Sequence, residues 1–250
     1  MSEAANKQTI IGHLEELRNR LIKSVIALVI TTSLSFMFYQ QIFDILTSRA
    51  PDVEFIFIEM TEMLGTIMRV CLVSGIILAM PFLTYQLIMF ISPALTPKEK
   101  RYVYLILPWM TLMFAAGVAF SYYVLIPRMV EFLVSFGGDI ATPQIKIGNY
   151  IAVVTRLMLA VGLVFELPVL TTLLARLGIV TPKWLADKRR AAIILAFIAA
   201  AMITPTIDPI NQSLVALPLI VLYEMSIWLA KLVSRKKKAP PETGTDDSEQ

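Results

Sequence analysis

Long apolar stretches alternate with short polar ones along almost the whole chain. A helix that crosses a bilayer needs about 20 predominantly apolar residues. Six stretches come near or exceed that length, and they lie at residues 21–39, 66–90, 104–126, 150–177, 191–207 and 213–233. The pattern therefore predicts an all-α integral membrane protein with six transmembrane helices.

The last two predicted spans are the shortest. Residues 191–203 form a run of 13 apolar residues, which at about 1.5 Å per residue is roughly 20 Å long against a hydrocarbon core of about 30 Å. Thr204 and Pro205 interrupt this run, and Pro218 lies in the first half of the sixth span. We expect a short final helix hairpin that thins the bilayer locally or admits water on one side.

Composition agrees with a membrane location, and the basic residues orient the chain. The chain is 57% hydrophobic and 16% charged with a mean hydropathy of +0.71, whereas soluble domains have about 45–50% apolar and about 25% charged residues.

Short loops rich in Lys and Arg stay in the cytoplasm. The amino-terminal stretch, the second and fourth loops and the tail hold 17 of the 22 basic residues. We therefore expect both termini to be cytoplasmic.

The chain lacks the residues that several functional classes need. His13 is the only histidine and Cys71 the only cysteine, so a disulfide framework and a His- or Cys-based metal site are excluded. No hydrolase or nucleotide-binding motif is present. We expect no enzymatic activity, no cofactor and no nucleic-acid partner. We also expect the first span to serve as its own insertion signal, residues 1–235 to form one domain and residues 236–250 to be a disordered tail.

Two glutamates lie inside predicted spans. Glu166 is near the middle of the fourth span, where a charge costs about 3 kcal/mol or more. It is either protonated and hydrogen-bonded to a neighbouring helix of the same chain, or a polar docking point that faces a cavity or a partner helix. Pro168 is expected to kink the helix there. Glu224, in the sixth span, is expected to reach the cytoplasmic interface or to meet Lys231.

Two charged motifs lie beside the early spans. Residues 9–20 predict an amphipathic helix at the cytoplasmic interface, with His13, Glu16 and Arg20 on one face. Glu16 is either an i,i+4 partner of Arg20 or a binding carboxylate.

The second motif, T-P-K-E at residues 96–99, forms a capping box that opens the third span. Glu99 is therefore either a helix cap or a rigidly held carboxylate suited to a guanidinium.

Six short motifs follow one another along the chain. They are H-L-x-E-L-R-x-R at 13–20, F-x-x-P-A-L-x-x-x-E-x-R at 90–101, F-x-Y-Y-V-x-x-P at 120–127, F-E-x-P at 165–168, T-P-x-x-D-P-x-x-Q at 204–212 and A-x-P-x-x-x-L-Y-E at 216–224. In this order, and together with six spans, they resemble TatC, the polytopic receptor subunit of the twin-arginine protein translocase. The loop at 49–62 departs from the family pattern, so Pro51 and Glu62 receive no role.

The resemblance implies a concave, cupped-hand receptor in the plasma (inner) membrane that binds the twin-arginine signal peptides of folded cargo. It also implies assembly with the single-span partners TatA and TatB, export driven by the proton motive force, a homo-oligomer and contact with membrane lipid. By this resemblance, the residues that bind the signal peptide are Glu16 and Glu99 together with the motif residues Arg18, Arg20, Phe90, Pro93 and Leu95. The residues that it assigns to partner docking are Glu166, Pro168, Asp208 and Gln212.

The alternative is a small secondary transporter in which Glu166 or Glu224 couples transport to protons. Such a protein should show an internal repeat or paired broken helices, and the sequence shows neither. An intramembrane hydrolase would need a second catalytic acid at matched depth or a Ser-His pair. The translocase receptor is therefore the favoured interpretation.

Overall fold

The computed structural model describes residues 2–50, 54–91, 97–135, 144–204 and 208–235, with side chains described throughout these ranges except at 2–11, 91, 97–101, 103 and 235. The described chain is almost entirely helical. A π-helical segment, Ser121–Leu125, joins two of the helices. The α-helices are α1 (Ser2–Met37), α2 (Tyr39–Thr47), α3 (Glu62–Ile91), α4 (Pro97–Phe120), α5 (Ile126–Ser135), α6 (Ile147–Phe165), α7 (Leu167–Leu177), α8 (Pro182–Asp187), α9 (Arg189–Ile203) and α10 (Pro209–Arg235).

Five helical segments among the described residues are long and apolar enough to cross a membrane. They are Gly12–Met37, Glu62–Phe90, Tyr104–Ser135, Ile147–Leu177 and Pro209–Ser234. The prediction of a helical integral membrane protein is therefore confirmed. The remaining predicted span corresponds to α9, whose 15 residues extend about 22 Å at about 1.5 Å per residue. A count of six spans and the cytoplasmic position of both termini stay predictions.

The final hairpin differs from the prediction in its second helix. Helix α9 is short, as expected, but α10 has 27 residues and is about 40 Å long. It is longer than the predicted 213–233 because Pro209 occupies its first position, where a proline needs no N–H partner. Pro218 lies inside the continuous helix without ending it. The prediction that both helices of the hairpin are short is wrong for α10.

The first helix also differs from the prediction. An interfacial helix at 9–20 was expected ahead of the first span, but both belong to α1, one continuous helix of 36 residues. No proline interrupts this stretch, and the cost of the single Gly12 in a helix, about 1 kcal/mol, is too small to break it. The charged motif therefore continues directly from the membrane-spanning part of α1.

A minimal parallel pair of strands accompanies the helices. β1 (Phe55–Ile56) pairs with β2 (Ile145–Lys146), with Phe55 opposite Ile145. Next to it, the Glu62 carboxylate accepts hydrogen bonds from the backbone N–H of Ile58 at 3.0 Å and of Gly148 at 3.2 Å. Glu62 thus ties the loop before α3 to the start of α6, a role that the sequence had not indicated.

Helix α6 lies at the centre of the core, whereas α1 lies at its edge. Glycines allow close helix crossings, because a Cβ at Gly162 would lie 2.8 Å from the Phe114 ring, and one at Gly75 would lie 2.7 Å from Thr32 Cα. Large apolar side chains of α1, such as Ile30, are more than half exposed, which suits contact with lipid. Buried side chains of the central helix are Ile147, Ile151, Val154, Leu157 and Val161.

Candidate functional site

The charged part of α1 contains a carboxylate paired with a guanidinium. Arg20 donates from Nε at 2.9 Å and from Nη2 at 2.5 Å, and both bonds go to the same oxygen, Glu16 Oε1. The predicted i,i+4 pair is confirmed. The other oxygen, Oε2, lies 3.9 Å from His13 Nδ1 and has no hydrogen bond within the described part of the chain. One oxygen of Glu16 is therefore held and the other is open.

Helix α3 supports this pair from the side. The Gln86 side chain, only 6% exposed, accepts a hydrogen bond at its Oε1 from Arg20 Nη1 at 3.3 Å. One helical turn further on, the Phe90 ring stacks on the His13 ring, with centroids 4.4 Å apart and planes at 21°. Glu16 lies between His13 and Arg20 on α1. Helix α3 therefore contacts α1 on both sides of Glu16 along the helix.

An open groove of about 370 Å³ runs beside Glu16. The exposed fraction of the Glu16 side chain is 29% and that of Arg20 is 20%, so the pair is partly shielded and still reachable. Arg18 is exposed. The residues that line the groove are Gly12, Glu15, Glu16, Asn19, Arg20 and Lys23.

The second motif is only partly described. Pro93 and Leu95 lie outside the described residues, and Glu99 lies in α4 at a position whose side chain is not described. Helix α4 does begin at Pro97, as the capping box predicts. The proposed roles of Pro93, Leu95 and Glu99 stay predictions.

The intramembrane acid lies at a helix break. Glu166 separates α6 from α7 and is 5% exposed. Thr84 Oγ1 on α3 donates to Glu166 Oε1 at 3.4 Å. The break follows from Pro168, which has no N–H to donate to the carbonyl four residues earlier. A hydrogen bond to a neighbouring helix of the same chain is thus present, while partner docking at Glu166 and Pro168 stays a prediction.

Asp208 and Gln212 stabilise the hairpin of α9 and α10. Asp208 Oδ2 accepts from the backbone N–H of Asn211 at 2.7 Å, which is the geometry of a helix cap. Gln212 Nε2 donates to the backbone oxygen of Phe197 at 2.9 Å. These contacts give both residues a structural role, and their proposed part in partner docking is a prediction.

Glu224 has a partner that the sequence did not reveal. Arg189 binds it bidentately, with Nε to Oε1 at 2.8 Å and Nη2 to Oε2 at 2.9 Å. Of the two alternatives for Glu224, the contact with Lys231 is wrong, because Arg189 at the start of α9 lies beside Glu224 on α10. A reach to the cytoplasmic interface stays a prediction. The side chains are 46% and 42% exposed.

We expect Arg189→Ala and Glu224→Ala each to lower the free energy of unfolding by about 1 kcal/mol or less, because half-exposed ion pairs contribute little. Thermal unfolding in detergent measures this, with the double variant as the control. A loss of about 3 kcal/mol in either single variant would show instead that the pair is shielded from solvent.

Two residues of these sites had escaped the sequence analysis. Thr84 and Gln86 both lie in α3 and both are buried, and each contacts a different charged group. An amide side chain inside an apolar span requires a partner, because an unsatisfied polar group there is costly. The apolar sequence around Gln86, F-L-T-Y-Q-L-I-M-F, was the signal that could have revealed it.

The fold and the sites together define a polytopic helical membrane protein with a charged groove on its first helix and a buried acid at a helix break. Residues 12–218 match the family of Sec-independent protein translocase proteins (TatC). The chain belongs to the TatC family. It is therefore a multi-pass inner-membrane component of a protein translocase, and this family does not consist of enzymes.

Individual relatives agree with this assignment. The chain is 38% identical to the Sec-independent protein translocase protein TatC of Carboxydothermus hydrogenoformans over 92% of its own length and 95% of the relative's. It is 39% identical to the protein of the same name from Aquifex aeolicus, over 90% of its own length and 96% of the relative's. A crystal structure of the twin-arginine translocase receptor TatC superposes with a TM-score of 0.81 at 38% identity, covering 89% of this chain and 100% of that one. None of these matches supports a secondary transporter.

Proposed function

We propose that Glu16, together with Glu99, binds the paired arginines of twin-arginine signal peptides. The observation that carries the proposal is the half-occupied Glu16 carboxylate, whose Oε1 already accepts two guanidinium bonds and whose Oε2 is open. A carboxylate in this setting favours Arg over Lys, because a planar guanidinium can direct two donors at it and an ammonium is a point charge.

The surroundings of Glu16 support the same function. The Glu16 to Arg20 pair is partly shielded from water, which strengthens a charge-assisted hydrogen bond. The stacked rings of His13 and Phe90 hold α1 against α3 about one turn from Glu16, and the family motif adds Arg18, Phe90, Pro93 and Leu95 to the binding surface. Folded cargo would be held by its signal peptide at the cytoplasmic end of α1, which requires the amino terminus to be cytoplasmic.

The remaining parts of the proposal concern assembly. Glu166 and Pro168 offer a polar break in an otherwise apolar helix, which suits a polar group on a single-span helix of the TatA or TatB type. Asp208 and Gln212 would shape the adjoining hairpin. Residues 1–235 act as one domain and 236–250 as a tail, and the chain works as a homo-oligomer in contact with membrane lipid, with transport driven by the proton motive force.

The experiment is photo-crosslinking of a signal peptide to membranes that carry this chain, with Arg-Arg and Lys-Lys versions of the peptide. We expect adducts that require Arg-Arg and that fall about tenfold in Glu16→Gln and in Glu99→Gln, the effect of one lost charge-assisted hydrogen bond. Glu131→Gln, which removes an exposed acid on α5, is the control and should leave the adducts unchanged. An adduct yield that is unaffected by the change from Arg-Arg to Lys-Lys and by both Glu variants would overturn the proposal.

A further inference from the structure

The Arg20 guanidinium is held at three nitrogens by two helices. Nε and Nη2 bind Glu16 Oε1, and Nη1 binds Gln86 Oε1. A guanidinium is planar and rigid, so fixing Nη1 also fixes the direction in which its opposite edge points. The position of the Glu16 carboxylate therefore depends on a residue of α3 that does not touch it.

Gln86 is itself well fixed relative to α1. It is buried, and it lies between two further contacts of the same helices, the crossing of Gly75 with Thr32 and the stacking of Phe90 on His13. A buried amide in an apolar span is stable only with a partner, and Arg20 is the partner of its oxygen. The Gln86 to Arg20 bond thus joins the two helices between these two contacts.

We propose that Gln86 is a positioning residue of the signal-peptide site, which acts through Arg20 to orient Glu16; this rests on the proposed function of Glu16. Arg20 occupies Oε1 with two donors, which leaves Oε2 to accept an incoming guanidinium in the same two-donor manner. Such a bond requires a correctly oriented oxygen, whereas an ammonium can donate from many directions. Gln86 therefore determines how strongly the site prefers Arg over Lys.

The test measures the affinities of Arg-Arg and Lys-Lys signal peptides for the full chain in detergent. In Gln86→Leu, which keeps the volume and removes the acceptor, we expect the ratio of the two affinities to fall about tenfold through weaker Arg-Arg binding, with Lys-Lys binding unchanged. Gln86→Glu keeps an acceptor for Arg20 and should retain the preference. Arg20→Lys, which cannot hold Gln86 and Glu16 together in the same way, should lose it.

Thr66→Val is the matched control, because it removes the hydrogen bond of another buried side chain of α3, from Thr66 Oγ1 to Glu62 O at 2.7 Å. An unchanged ratio in Gln86→Leu, or an equal loss for both peptides, would overturn the inference. Gln86→Met repeats the test with a flexible side chain, and failure of both apolar variants to accumulate would show a purely structural role and overturn it too. A wild type without any preference and insensitive to Glu16→Gln would instead refute the proposed function.

Discussion

Gly75→Ala is expected to destabilise the protein by about 2–3 kcal/mol, the cost of overpacking a tight contact. A Cβ at this position would clash with Thr32 Oγ1, and it would lie 2.7 Å from Thr32 Cα and 2.8 Å from Thr32 N. Two of these atoms belong to the backbone, so a rotamer change cannot relieve the clash. Helix α1 would have to move away from α3, and thermal unfolding in detergent would report the loss of stability.

Gly65→Ala is the matched control on the same helix. No atom lies within 4 Å of a Cβ at Gly65, and alanine is better than glycine in a helix by about 0.5–1 kcal/mol. We expect this variant to be slightly stabilised. Because Gln86 and Phe90 contact α1 across the same interface, Gly75→Ala should also weaken binding of an Arg-Arg peptide. A wild-type unfolding midpoint for Gly75→Ala would show that α1 and α3 are not in contact at Thr32.

Glu166→Leu is expected to reduce the co-purification of single-span partners while leaving the binding of an Arg-Arg peptide intact. A hydrogen bond between membrane helices contributes about 0.6–1.7 kcal/mol, so the expected loss is about threefold to twentyfold. The carboxylate lies at the break between α6 and α7, far along the chain from Glu16, and its contact in the described structure is with Thr84. Affinity purification followed by quantification of the partners measures the effect.

Two further variants separate partner docking from an internal role of Glu166. Glu166→Gln keeps hydrogen-bonding capacity at the same size, so we expect partner assembly close to that of the wild type. Thr84→Val removes the internal hydrogen bond and leaves the carboxylate in place, and we expect assembly to persist. Normal co-purification with Glu166→Leu would limit the role of Glu166 to its contact with Thr84.

One short segment of α3 contacts both polar sites. Thr84 binds Glu166, and Gln86 binds Arg20 next to Glu16. Residues two apart on an α-helix point in directions about 200° apart, so the same helical turn contacts α1 on one side and the break at Glu166 on the other. A displacement of α3 would therefore change both sites together.

Features that depend on near neighbours in sequence could be predicted. The Glu16 to Arg20 pair, the start of α4 at Pro97 and the break at Glu166 before Pro168 were confirmed. The cap of α8, in which Thr181 Oγ1 accepts from Trp184 N, follows from the same local chemistry. These features rest on helix periodicity and on the missing N–H of proline, which a sequence displays directly.

Features that join distant segments could not be predicted in this way. Arg189 reaches Glu224 across 35 positions, and Arg20 reaches Gln86 across 66. Such pairs depend on which faces of the helices meet, and this is set by the packing of the whole bundle. The length of α10 was underestimated because the sixth span was predicted to begin at residue 213, whereas the helix begins at Pro209, a position that a proline can occupy without losing a hydrogen bond.

The contacts around Glu16 also have a consequence for the order of events during synthesis. His13, Glu16 and Arg20 lie in α1, and their partners Gln86 and Phe90 lie in α3. These parts leave the ribosome well before the segment that carries Glu166. The groove on α1 can therefore form while the later helices are still being made, before the residues proposed for partner docking have been synthesised.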